Sequence, residues 1–209
     1  MKRRSKSSRP LAAALLGALL LAGCGVRYPK NYTLNLSQPA RQAARQTPPD
    51  QVLGPLVVRE FRCLDYLSEG RIVYRPSPQE VGFYEYHRWA VSPQEAITQF
   101  MTDRIRAESL FISVAAEGEA EAAYLLSGKI GQLEEVDQGR DVRAVCKISA
   151  ELRHVPSGEI VWSATAFETV PVEKRDVPGV VSSLSAAART SVDRLVDSMR
   201  ESLAFPKSE

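Results

Sequence analysis

Histidine is almost missing from this chain of 209 residues: there are two, His87 and His154. Each sits alone in a strand-like stretch, without a second histidine at metal-ligand spacing. No Gly-x-Ser-x-Gly elbow and no phosphate-cradling glycine loop accompanies them, so the common hydrolase and nucleotide-binding constellations lack their residues. Cysteine is nearly as scarce, with Cys24, Cys63 and Cys146 only. Charge of one sign is also lacking, at 27 Lys and Arg against 25 Asp and Glu. With no basic stripe and no aromatic-basic reader motif, nucleic acid is not an expected partner. The acidic group Glu134, Glu135 and Asp137 flanks a turn. Turn-flanking acids are ordinarily solvated, so no metal or other cofactor is expected.

A long hydrophobic run is absent too. The apolar stretch Leu11 to Ala22 is shorter than the ~20 residues a spanning helix needs, and Gly23, Gly25 and Pro29 break it at once. What stands there instead is a leader: Lys2, Arg3, Arg4, Lys6 and Arg9, the apolar run, then Leu21-Ala22-Gly23-Cys24. Basic residues, a short apolar segment and small residues before a cysteine read as a bacterial lipobox. Residues 1–23 are then removed, Cys24 becomes the first mature residue and carries lipid, and residues 24–30 form a lipidated tether. Residues 31–209 form a single domain, long enough to bury a core. Cleavage changes the charge: 27 basic residues less the five of the leader leave 22 against 25 acids, a net of about −3.

In the mature chain, Asn31 to Leu36 reads as a short strand and Ser37 to Gln51 as a polar loop or linker. Strands are expected over Leu53 to Phe61, Arg71 to Arg75 and Glu80 to Ala90, the last two joined as a hairpin by a turn at Pro76-Ser77-Pro78. Ser92-Pro93-Gln94-Glu95 opens a helix, with Ser92 as cap and Ile97, Phe100, Met101 and Ile105 on one face. Phe111 to Ala115, Tyr124 to Val136, Val142 to His154 and Glu159 to Val170 follow as strands. In the third of these, Val142, Ala144, Cys146, Ile148, Ala150 and Leu152 alternate onto one face. Pro178 opens a long helix with Val181, Leu184, Ala188, Val192, Leu195, Met199 and Leu203 in register. The sum is α/β: a two-layer sandwich of a mixed sheet of about seven strands with two amphipathic helices, one sheet face more open than the other.

Two sets of residues invite a function. Cys63 and Cys146 lie in strand-like segments of a chain expected outside the cytoplasm, where they form either a disulfide or two buried thiols. The hairpin combines Tyr74 and Arg75 with Tyr84 to Trp89, and Tyr, Trp and Arg are the types enriched at binding hot spots. Alternation puts Phe83 and Trp89 on one face, suited to a core, and Tyr84, Tyr86 and Arg88 on the other. Tyr74, Arg75, Tyr84, Tyr86 and Arg88 are the candidate partner-binding residues.

The lipobox, Tyr32-Thr33-Leu34, Gly54-Pro55-Leu56-Val57-Val58, Leu64-Asp65, the run Arg71 to Arg75, Tyr84 to Trp89 and the Ser92-Pro93 helix start together resemble the ABC-type transport auxiliary lipoproteins, which accompany MCE-domain lipid transporters of Gram-negative bacteria. The resemblance implies a non-enzymatic protein with an MCE-domain protein and ABC transporter subunits as partners, and ATP hydrolysis on another subunit. It implies phospholipid trafficking between the two membranes, with a neighbouring copy of the chain as a further contact. Gly25 stands where precursors kept in the inner membrane commonly carry Asp, which implies an outer-membrane anchor. A structural outer-membrane lipoprotein and a periplasmic hydrolase using His87 or His154 are the alternatives.

Overall fold

The computed structural model describes residues 28–37, 52–118, 121–139 and 141–204. The leader, Cys24 and the Gln38 to Gln51 segment lie outside the described residues. The elements in order are β1 (Lys30–Tyr32), β2 (Leu56–Val58), β3 (Arg62–Cys63), α1 (Asp65–Ser68), β4 (Arg71–Ser77), β5 (Glu80–Trp89), α2 (Pro93–Glu108), β6 (Val114–Ala116), β7 (Tyr124–Gln138), β8 (Asp141–His154), β9 (Ile160–Pro171) and α3 (Val177–Ala204).

β7 is the hub of the sheet. Along one side it pairs antiparallel with β8 for its whole length, and β8 with β9. Along the other side it meets three parallel strands in turn: β2 opposite Tyr124 to Leu126, β3 opposite Lys129 and Ile130, and β4 opposite Glu135 and Val136. The sheet therefore forks beyond β7. One arm continues from β2 to β6, the other from β4 through β5 to β1. The arms sit at opposite ends of the molecule, and α2 links them by running from the end of β5 to β6.

The α/β expectation holds, with a curled sheet and two long helices. The six alternating residues of β8 are all buried, from 7% exposure at Val142 to 0% at Cys146. Facing them from α3 are Leu184, Ala188, Val192, Leu195 and Met199, each at most 1% exposed. Removing such a side chain from water contributes about 1.5–3 kcal/mol. α2 starts where expected: the Glu95 N–H donates to Ser92 Oγ at 3.2 Å, and Pro93 opens the helix. It ends at Ser109 in a left-handed conformation, whose N–H returns to the Arg106 carbonyl. α2 and α3 are tied by Arg104, whose guanidinium donates to Asp193 at 2.7 Å.

Several boundaries differ. β1 covers three residues where a longer strand was expected, and β2 only the centre of the Leu53 to Phe61 run. The chain leaves β2 after Val58, so that Phe61 can turn onto Gly128 of β7, where a Cβ would stand 2.6 Å from the ring. β3 and α1, two and four residues long, are too short to show a period in sequence. β4 runs on through Pro76, and the hairpin turns at Pro78-Gln79. Proline is tolerated there because the ladder to β7 has already ended at Arg75.

Cys63 and Cys146 are free thiols, so the unbridged alternative is the one the structure adopts. Cys63 lies opposite Ile130 and Cys146 opposite Leu133, on either side of β7. Two strand spacings alone separate them by at least about 10 Å, and the offset along β7 adds to that, beyond what a disulfide spans. The Cys63 thiol instead donates to Gln94 of α2 at 2.8 Å. Cys146 is sealed under α3, and burial pushes its thiol up to about 12.

Candidate functional site

The aromatic-basic hairpin is not a regular ladder. Ser77 faces Glu80, Tyr74 faces Gly82 and Val73 faces Phe83, but the next pair is Arg71 with Arg88. While β4 advances two residues, β5 advances five, and the extra residues re-aim the side chains between Phe83 and Arg88. Strict alternation, which put Tyr84, Tyr86 and Arg88 together, is broken inside the segment that mattered most. Gly82 is needed for the close approach: a Cβ there would lie 2.3 Å from the Tyr74 ring.

Tyr84 turns inward. Its ring packs on Tyr74 at 5.2 Å and on the edge of His87 at 5.9 Å. His87 continues the row to Tyr32 of β1, with ring centroids 5.5 Å apart and its Nδ1 3.0 Å from the Tyr32 hydroxyl. The Tyr84 hydroxyl donates to Glu135 Oε2 at 2.5 Å. Desolvation raises the tyrosine well above its ordinary value, and the facing carboxylate raises it further. The four rings join β4, β5 and β1, so His87 is part of the packing. His87 looks solitary in the sequence because its partner Tyr32 comes from another strand.

Arg75 is engaged on the opposite face. Its Nε and Nη2 donate to the two oxygens of Glu134 at 2.8 and 3.0 Å, and Tyr66 and Gln132 also donate to that carboxylate, at 3.3 and 3.0 Å. Glu134 is wholly buried. The hydrogen bonds that it donates to Glu134 hold the Arg75 guanidinium above its usual range. Glu134 and Glu135 face Val145 and Ala144 of β8, hence opposite faces of the sheet. They do not converge on one point, and among the described residues no group of three or more His, Cys, Asp or Glu is placed to hold a metal.

Of the five candidate partner-binding residues, Tyr74, Arg75 and Tyr84 are thus engaged within the fold. Tyr86, 36% exposed, and Arg88 stand at the surface. Phe83 is half-buried beneath the Arg71 guanidinium at 4.0 Å, and Trp89 is in the core. His154 lies at the far end of the sheet, 2.9 Å from Ser157 Oγ across the turn between β8 and β9 and stacked near Tyr124. The Ser157 hydroxyl also accepts from the Glu159 N–H, so the pair secures the turn. No described helix is long and apolar enough to cross a membrane.

Among solved structures, the chain is similar to protein XCC0632 from Xanthomonas campestris, with 19% identity over 82% of this chain and 98% of that one and a TM-score of 0.69. An uncharacterized protein is 13% identical over 82% of this chain and 99% of its own, with a TM-score of 0.63. Protein CT253 from Chlamydia trachomatis shares the fold at 5% identity, covering 73% and 98% of the two chains with a TM-score of 0.51. No curated protein matches at a significant level. The sequence profile of the ABC-type transport auxiliary lipoprotein component family matches residues 32–196, from the end of β1 to the last turns of α3. The chain therefore belongs to the ABC-type transport auxiliary lipoprotein component family, which is not a family of enzymes.

Proposed function

We propose that this chain is the outer-membrane lipoprotein of an MCE-associated ABC transporter, anchored through Cys24, and that it docks the periplasmic conduit along which phospholipid moves. The observation that carries the proposal is the extent of the family match, which takes in both arms of the sheet and both long helices. The site chemistry supports a non-enzymatic role. The buried carboxylate Glu134 is held by three donors, Glu135 by Tyr84, and His87 by Tyr32, so Arg75, Tyr84 and His87 of the hairpin serve to fasten it to its neighbours. ATP hydrolysis belongs to another subunit.

The test is crosslinking in intact cells, followed by purification through the lipidated protein and mass spectrometry. An MCE-domain protein recovered with the wild type is the expected outcome. Repeated recovery of envelope proteins without any transporter component would sink the proposal and favour a structural lipoprotein. A His87→Ala/His154→Ala chain that still supports envelope integrity would dispose of the hydrolase.

A further inference from the structure

The proposed anchor has a short reach. From Cys24 to Tyr28 is four residues, and a fully extended chain covers at most about 14 Å over that distance. A domain of this length is roughly 40 Å across. The place where the described chain begins therefore decides which side of the domain can touch the bilayer.

That place is one edge of the sheet. Among the described residues β1 pairs only with β5, in parallel, with Lys30 opposite His87 and Asn31 opposite Arg88. Running backwards from Lys30, the chain heads along β5 toward Glu85 and Tyr86, away from the end of the molecule where β2, β6 and β7 begin. Seven large hydrophobic side chains stand exposed among the described residues, and two of them, Tyr28 and Tyr86, lie at this part of the edge. Tyr28 is 80% exposed. Lys30 and Arg88 stand exposed beside them, with Glu85 the acid between. Tyrosine rings with lysine and arginine are the combination that settles at a membrane-water boundary, the ring at headgroup level and the cation on phosphate.

We infer that the β1–β5 edge lies against phospholipid headgroups, with Tyr28 and Tyr86 seated in the interface and Lys30 and Arg88 on lipid phosphates. This rests on Cys24 being the lipid anchor. The occupant of the exposed half of the hairpin is then a lipid surface, not the transporter. The buried half holds that surface in place, because the ring row from Tyr74 to Tyr32 fixes β1 onto β5.

The experiment uses the full lipidated protein, reconstituted in vesicles of phosphatidylethanolamine and phosphatidylglycerol doped with a headgroup spin-labelled lipid. A fluorophore is placed at Asn31→Cys or at Ile112→Cys, each in a Cys63→Ser background, and quenching is compared. Quenching at position 31 at least about threefold stronger than at 112 is expected, falling about twofold or more in Tyr86→Ser/Arg88→Glu while the protein stays on the vesicles. Intact-mass spectrometry separates the two ideas. An unmodified Cys24 overturns the anchor and this inference with it. An acylated Cys24 with equal quenching at both positions, or with quenching indifferent to Tyr86 and Arg88, overturns the inference and leaves the anchor standing.

Discussion

Burial of Glu135 on the helix-facing side of β7 pushes its carboxyl above the usual range; Asp137 adds to the shift, while the Tyr84 hydroxyl and Arg175 oppose it. The sign of the consequence follows from linkage. A carboxylate whose folded-state pKa is raised holds its proton more tightly in the folded chain, so its ionised form costs stability at neutral pH. That cost is relieved as pH falls through the folded-state value and is gone below the ordinary carboxylate pKa of about 4.3. Glu135→Gln, which keeps an acceptor for Tyr84, should therefore melt at a higher temperature than wild type at pH 7. The advantage should shrink steadily as the melts are repeated toward pH 4. A constant offset at every pH would mean that Glu135 acts through packing alone. Removing the carboxylate of Glu134, one residue away, would instead leave the Arg75 guanidinium without its partner.

At the scale of elements, β7 sets the shape of the sheet, and its irregularities matter more than its length. Its core face is occupied by Leu126, Ile130 and Leu133, a spacing that slips because the register with β8 shifts between Ile130 and Gln132. Gly128 on the same face leaves room for Phe61, which is 1% exposed and brings the end of the β2 segment against the sheet. Gly128→Ala should destabilise the protein by about 1–3 kcal/mol, since the ring has no open space to move into. Combining it with Phe61→Leu should recover much of that loss in urea unfolding. Additive costs in the double variant would show that the two do not share a contact. The same contrast explains what could be read in advance. The β8 alternation and the α3 stripe are long and uninterrupted, so periodicity finds both. The Ser92 cap is local and is found from four residues. The hairpin failed at the place where β5 takes extra residues against β4, because alternation carries no sign of a bulge. For the same reason the row Tyr74, Tyr84, His87 and Tyr32 was invisible: it is assembled from three strands whose order in the sheet no single segment reveals.

For the whole molecule, an anchor beside β1 separates the two ends of the sheet. If Tyr28 and Tyr86 rest on the bilayer, the end where β2, β6 and β7 begin is the far end along the strands from them. That end carries Ile112, Val155 and Ile160, exposed by 72%, 46% and 46%. They come from different parts of the chain but from one region: Ile112 bonds back to Leu53, Val155 to Ala123, and Ile160 pairs with Arg153 at the close of β8. Isolated exposed apolar residues need no explanation, but three gathered at one end of the sheet form a surface that a protein partner of the proposed docking role can reach. Ile112→Asp/Ile160→Asp should leave folding within about 1 kcal/mol of wild type, because Ile112 is mostly and Ile160 nearly half exposed. It should also leave lipidation and vesicle attachment unchanged. Crosslinking to the transporter partner should nevertheless fall about tenfold, as expected when apolar anchors of an interface are replaced by charge. Unchanged crosslinking in the folded, lipidated variant would exclude this end as the contact and direct attention to the uncovered face of β7 to β9, where Phe167 is 54% exposed.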